Sequence, residues 1–91
     1  MTMTVDEVIA ERGKVYGDAH LSHANIGLAW TALVQQHYGL KLPATIPASL
    51  VAQMMVVLKI HRAARVFKDD NYLDARAYTN FAEQFQQLEQ P

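Results

Sequence analysis

Three cations recur at three-residue spacing in the second half of the chain. Lys59, Arg62 and Arg65 come directly after the most apolar stretch of the sequence. On a helix this spacing places them on neighbouring turns, where they can clamp the oxygens of a phosphate group. The alternative is a solvated helix C-terminus, where the helix dipole favours basic side chains that extend over apolar neighbours. Both interpretations predict a helix here.

A second polar group follows a few residues later. Asp70, Asp74 and Tyr78 are spaced four residues apart, and Asn71 stands beside the first of them. A helix brings residues at this spacing onto one face. Because that face continues into apolar positions, we expect Asp74 to point toward the core, where a carboxylate needs a cation, a metal ion or several hydrogen-bond donors.

Two interpretations account for these carboxylates. In the functional one, Asp70 and Asp74 hold a magnesium ion while the neighbouring cations bind phosphate oxygens. In the structural one, Asp70 or Asn71 caps the N-terminus of a helix. Asp74 then forms an ion pair with Lys59 or Arg62. The two interpretations are compatible with each other.

Other candidate groups carry weaker signals. Tyr16 precedes a glycine in a turn, where its ring either stacks on a ligand or packs the turn onto the core. His20 and His23 have a spacing that can share a metal ion, but no cysteine and no metalloprotease glutamate accompany them. Ordinary packing is therefore the favoured interpretation for the two histidines.

Composition narrows the function classes. The 91 residues carry a net charge of −1 and are 51% hydrophobic, which predicts one globular domain over residues 1–91. This charge balance gives no general electrostatic surface for extended nucleic acid. We expect no membrane span, because no apolar run is long enough, and no leader sequence at the N-terminus. The sequence also contains no phosphate-binding glycine loop and no serine elbow.

Capping signals predict four helices and an all-α fold. Thr4 and Glu7 form a capping box that starts a short first helix. Asp18 and Gly39 bracket a second helix over residues 19–38, as N-cap and left-handed C-cap. We expect a stripe through Leu21, Ala24, Leu28, Ala32 and Gln35 to be buried, and the residues that widen it are Ile26, Trp30, Leu33, Val34 and His37.

The third predicted helix covers residues 47–66 and begins with Pro47 in its first turn. It is apolar around nearly its whole circumference, so it must be covered on several sides. Three further helices in so short a chain can hardly surround it. We therefore expect a second copy of the chain to cover part of it, which makes a homo-oligomer.

The fourth predicted helix begins after the Asp69-Asp70-Asn71 break. Its apolar stripe consists of Tyr78, Phe81, Phe85 and Leu88. We expect its C-terminal end to fray over the polar residues from Gln86 onward.

Four segments together resemble a family of small phage and prophage proteins of unknown function. They are Glu11-Arg12-Gly13-Lys14-Val15-Tyr16-Gly17-Asp18, Ala29-Trp30, Met54-Met55-Val56-Val57-Leu58-Lys59-Ile60-His61-Arg62, and Asp69-Asp70-Asn71-Tyr72-Leu73-Asp74-Ala75-Arg76-Ala77-Tyr78. The chain also looks like phage domains associated with nucleotide modification. More distantly, it is similar to the MazG-like all-α nucleotide pyrophosphohydrolases.

The MazG-like resemblance implies a compact helical architecture and a magnesium site built from two pairs of carboxylates. The later pair has a counterpart here in Asp70 and Asp74. The earlier pair has none in residues 19–38, which contain no aspartate or glutamate, unless Glu7, Glu11 or Asp18 substitutes across the fold or from another subunit. This departure argues against hydrolysis and in favour of binding without cleavage.

These expectations combine into one functional hypothesis. The protein is a phage-type homo-oligomer in the cytoplasm of the host cell that binds a nucleotide or a nucleotide-derived small molecule. The residues expected to bind the ligand are Lys59, Arg62, Arg65, Asn71, Tyr16 and Tyr78. The alternatives are a magnesium-dependent nucleotide pyrophosphohydrolase and a structural adaptor without a small-molecule ligand.

Overall fold

A computed structural model of the chain describes residues 4–8 and 18–91. Within these ranges the protein is all-α, without a strand, as predicted from the sequence. Helix α1 includes residues 5–8, and the longer helices are α2 (Ala19–Tyr38), α3 (Ala48–Arg65) and α4 (Asp69–Glu89). None of the helices described is long and apolar enough to cross a membrane. The predicted turn at Tyr16 lies outside the described residues.

The predicted caps of α1 and α2 are confirmed. The Thr4 hydroxyl accepts a hydrogen bond from the backbone N–H of Glu7 at 3.1 Å. The Asp18 carboxylate accepts one from the N–H of Leu21, also at 3.1 Å. At the other end of α2, Gly39 has a φ of 64° and donates its N–H to the Gln35 carbonyl. A left-handed residue of this kind ends a helix with little strain only when it lacks a side chain.

Helices α3 and α4 form the main interface of the molecule. Only residues 66–68 separate them, so they run antiparallel as a helical hairpin. Small side chains of α3 face large ones of α4 in a core that contains Ala48, Ala52, Tyr78, Phe81, Ala82 and Phe85. Helix α2 packs mainly on α3, and Val8 of α1 packs on Leu73 and Ala77 of α4.

The predicted buried stripe of α2 is wrong in its leucines, whereas Ala24 is partly buried and packs against the core. Leu21 and Leu28 are 59% and 56% exposed, and the buried residues are His23, Gly27 and Thr31. The reason is a close approach of backbone that apolar periodicity does not reveal. A Cβ atom at Gly27 would overlap the carbonyl oxygen of Ile46 in the connection that precedes α3.

Hydrogen bonds hold this close approach in place. The Thr31 hydroxyl accepts from the backbone N–H of Ile46 at 2.8 Å and donates to the carbonyl of Gly27 at 2.7 Å. A bulkier residue at position 27 would separate the two segments and break the Thr31 contact. Backbone contact, rather than the apolar stripe, therefore decides which face of α2 turns inward.

The start of α3 also differs from the prediction. Pro47 is the N-cap rather than the first helical residue, and it provides no side-chain cap. The missing cap comes from Glu89, forty residues away, whose carboxylate accepts from the backbone N–H of Ser49 at 3.0 Å and from the Ser49 hydroxyl. Because Glu89 is engaged in this way, α4 remains helical to that residue instead of fraying from Gln86.

At the start of α4 the predicted capping by Asp70 or Asn71 is wrong. Lys68 is the N-cap, without a side-chain hydrogen bond, and the helix begins at Asp69. Asp69 and Asp70 lie in the first turn. Carboxylates at that position interact favourably with the helix dipole, so they stabilise the start of the helix without capping it.

Candidate anion-binding site

A basic pocket lies at the turn between α3 and α4. It has a volume of about 630 Å³ and is lined by Arg62, Arg65, Val66, Lys68 and Asn71. The two arginines belong to the last turn of α3, and Asn71 belongs to the first turn of α4. None of the described residues that line the pocket is acidic. Such a lining suits an anion with several oxygen atoms.

The connection between the helices adds the third cation. Val66 and Lys68 both have extended backbone, with φ of −142° and −145°. The side chains of Val66 and Lys68 both line the pocket. Lys68 was not among the predicted site residues. The signal that could have identified it is its place in the short connection directly after the arginines.

Lys59 and Asp74 lie one turn further along the hairpin. Their side chains form an ion pair of 3.0 Å between Nζ and Oδ2, and are 15% and 17% exposed. This contact confirms the predicted ion pair and identifies Lys59, rather than Arg62, as the partner. Asp74 has further contacts besides this one. The Lys59 charge is directed at a carboxylate, so Lys59 stands apart from the pocket lining.

Tyr78 lies in the aromatic core rather than among the residues that line the pocket. Its side chain is 9% exposed, and its ring lies 5.9 Å from that of His23 and 6.3 Å from that of Phe81, measured between centroids. The structure therefore does not bring Tyr78 together with the arginines of the pocket. Tyr16, the other predicted stacking residue, lies outside the described residues.

The histidines of α2 pack against the same aromatic core. His20 contacts Phe85 edge-on at 5.1 Å, and His23 contacts Phe85 at 5.2 Å. His23 Nδ1 lies 2.7 Å from the carbonyl oxygen of Ala19. A neutral imidazole protonated on Nδ1 would donate this bond. This environment agrees with the packing interpretation of the two residues.

No group of three or more histidine, aspartate or glutamate side chains in residues 4–8 and 18–91 is placed to hold a metal ion. Asp70 is exposed on the first turn of α4, and Asp74 faces Lys59. Magnesium binding by these two residues stays a prediction. An ion at Asp74 would have to compete with the Lys59 ammonium group.

A family model described as a domain of unknown function (DUF6378) matches residues 2–86. The chain belongs to this family. The match includes every residue that lines the pocket. No curated protein and no solved structure matches the chain. The family description names no activity.

Proposed function

We propose that this member of the family binds a nucleotide or a nucleotide-derived small molecule, and that the phosphate groups of this ligand occupy the basic pocket. The observation that carries the proposal is the convergence of Arg62, Arg65 and Lys68 on one pocket. Two arginines and a lysine supply charge-assisted donors for several phosphate oxygens. The volume of about 630 Å³ lies within the usual range of small-molecule sites.

Each polar lining residue has a distinct part in the proposal. Arg62 and Arg65 present planar guanidinium groups that bind two oxygens of a phosphate side by side. Lys68 contributes a compact charge that follows the phosphate chain. The Asn71 amide both donates and accepts, so it suits a ribose hydroxyl or a bridging oxygen.

Lys59 acts indirectly in this proposal. Its ion pair with Asp74 joins α3 to α4 one turn away from the pocket. Because Arg62 is on the next turn of α3 and Asn71 on the preceding turn of α4, the ion pair holds these two lining residues opposite each other. Lys59 is therefore a positioning residue rather than a phosphate ligand.

Isothermal titration calorimetry with ATP and ADP, at low and physiological salt, tests the proposal. The variant is Arg65→Gln, and the matched control is Arg76→Gln, an exposed arginine of α4 that is not among the lining residues. Loss of one charge-assisted contact should weaken binding roughly 10- to 100-fold. The control should bind as the unchanged protein does. Equal affinity in all three proteins, or no binding to any of them, would refute the proposed site.

Hydrolysis of the bound nucleotide is tested separately. With magnesium present, release of pyrophosphate from a nucleoside triphosphate would indicate the pyrophosphohydrolase alternative, with Asp70 and Asp74 as the metal ligands. Asp74→Asn should abolish that turnover. The resemblance to phage proteins and to MazG-like enzymes is part of this proposal and rests on the residue patterns quoted above. Binding without product would support the binding protein.

We also infer that the protein self-associates through α3. Leu50, Met54 and Val57 lie at helical spacing on one face of α3, and they are 40%, 44% and 68% exposed. Contiguous exposed apolar side chains of this kind are typical of interaction surfaces. In a symmetric dimer the same face of a second copy would cover them. In the structural-adaptor alternative, this exposed face of α3 is the surface that contacts a partner.

Sedimentation analysis tests self-association. Val57→Glu places a charge on the exposed face of α3. Leu88→Glu on α4 is the matched control, because Leu88 is also 68% exposed. The unchanged protein and the control should sediment as oligomers, whereas Val57→Glu should sediment as a monomer. A monomeric unchanged protein would refute the inference, and an oligomer without any nucleotide binding would favour the adaptor.

A further inference from the structure

An exposed pair of aromatic rings lies beside the basic pocket. Phe67 is 71% exposed and Tyr72 is 41% exposed. Their ring centroids are 6.0 Å apart, with an angle of 33° between the ring planes. Neither residue belongs to the aromatic core of Tyr78, Phe81 and Phe85. Large rings left together in water form a patch that a partner or ligand can cover.

The connection between α3 and α4 brings the rings next to the residues of the pocket. Phe67 stands between Val66 and Lys68, which both have extended backbone and both line the pocket. Phe67 is therefore adjacent in the chain to two lining residues, and Tyr72 is adjacent to a third, Asn71. The connection over residues 66–68 thus carries the Lys68 cation directly next to the exposed Phe67 ring.

We propose that Phe67 and Tyr72 form a stacking platform for the base of the nucleotide whose phosphates occupy the basic pocket. This inference rests on the proposed function and specifies the ligand class as a nucleotide with an unpaired, accessible base. The ligand passes over the connection, with its phosphates toward Arg62, Arg65 and Lys68 and its base on the rings. Cations combined with a flat aromatic surface bind bases and phosphates together without reading sequence.

Two kinds of ligand combine an accessible base with phosphate groups. They are a free nucleotide and a single-stranded oligonucleotide. In a free nucleotide, the ribose separates the base from the phosphates that reach the pocket. In a strand, one nucleotide stacks on the platform while the phosphate of its neighbour enters the pocket. Sugar phosphates and inorganic polyphosphates fill the pocket but leave the rings uncovered. The proposal therefore predicts that a base strengthens binding.

Calorimetric titrations with ATP, inorganic tripolyphosphate and a short single-stranded oligothymidylate test the platform. The variants are Phe67→Ala and Phe67→Leu, of which the second keeps an apolar side chain but removes the ring. Tyr38→Ala is the matched control, because Tyr38 is 68% exposed and its ring also contacts a neighbouring ring, that of His37 at 4.7 Å.

Both Phe67 variants should weaken ATP binding roughly 5- to 100-fold and leave tripolyphosphate binding unchanged. The Tyr38 control should bind every ligand as the unchanged protein does. On addition of ATP to the unchanged protein, the base protons should shift upfield in the NMR spectrum. Tighter binding of the oligonucleotide than of ATP would identify a strand as the source, and the reverse would identify the free nucleotide.

The failure of the platform is distinguishable from the failure of the pocket. If the Phe67 variants bind ATP as the unchanged protein does, or if ATP and tripolyphosphate bind equally to the unchanged protein, the platform is refuted and the pocket stands. If neither ATP nor tripolyphosphate binds, both proposals are refuted.

Discussion

The two ends of the α3–α4 hairpin have opposite character. At one end, Phe81 and Phe85 stack at 5.6 Å, and Glu89 binds Ser49 across the interface. At the other end, the turn exposes Phe67 and surrounds a basic pocket with Arg62 and Arg65. The same two helices thus combine a closed, apolar end with an open, charged one.

This difference assigns folding stability to the closed end of the hairpin and ligand binding to the turn. Buried apolar area and satisfied hydrogen bonds at the closed end hold the fold together. Exposed cations and rings at the turn contribute little to folding, because their charges and edges already contact water. Substitutions at the closed end should therefore change the free energy of unfolding, whereas substitutions at the turn should change affinity.

The largest expected change in the free energy of unfolding comes from a substitution at the closed end. Phe81→Ala removes a ring that is 4% exposed and packs against Phe85, and it should lower the free energy of unfolding by about 3–5 kcal/mol. Chemical denaturation measures this change. At denaturant concentrations where the variant is still folded, phosphate affinity should be unchanged. A loss below about 1 kcal/mol would mean that this end is not packed as described.

A second substitution tests the backbone contact that orients α2. In a helix interior, glycine to alanine ordinarily stabilises by about 0.5–1 kcal/mol. Gly27→Ala should instead destabilise by about 1–3 kcal/mol, because the added methyl group overlaps the Ile46 carbonyl oxygen. Gly27→Ser should behave in the same way. If thermal unfolding shows a higher midpoint for Gly27→Ala, α2 does not approach the connection this closely.

The smallest expected effect on the free energy of unfolding concerns the ion pair of Lys59 and Asp74, which lies between the closed end of the hairpin and the turn. A double-mutant cycle with Lys59→Met and Asp74→Asn isolates the coupling of these side chains. Because the pair is mostly buried but still touches solvent, the coupling should be about 1–2 kcal/mol. Either single substitution should also weaken nucleotide binding modestly by loosening the opposition of Arg62 and Asn71. A coupling near zero would remove Lys59 from its positioning role.

Local signals in the sequence predicted the helices well. Asp18 and Gly39 bracket α2 at its observed bounds, because both caps depend on residues within a few positions of each other. The apolar spacing of Tyr78, Phe81 and Phe85 likewise identified the buried face of α4, whereas Leu88, predicted on the same stripe, is 68% exposed. Short-range chemistry of this kind is visible in a single sequence.

Long-range contacts explain what the sequence did not predict. The inward face of α2 depends on Gly27 meeting a carbonyl group nineteen residues later, and the cap of α3 comes from Glu89 near the end of the chain. Neither contact leaves a periodic signal. At the site, the basic character of Arg62 and Arg65 was predictable from their spacing. The contribution of Lys68 depends on the extended backbone of the turn.

Backbone amide NMR during a titration with ATP tests the central claim most directly, because it reports where the ligand binds without any substitution. The account predicts that the largest chemical-shift changes fall within residues 62–72, which include the pocket and the two exposed rings. The amides near Phe81 and Phe85 should shift little. Changes centred outside residues 62–72, or no changes at saturating ATP, would contradict the assignment of the turn as the binding site.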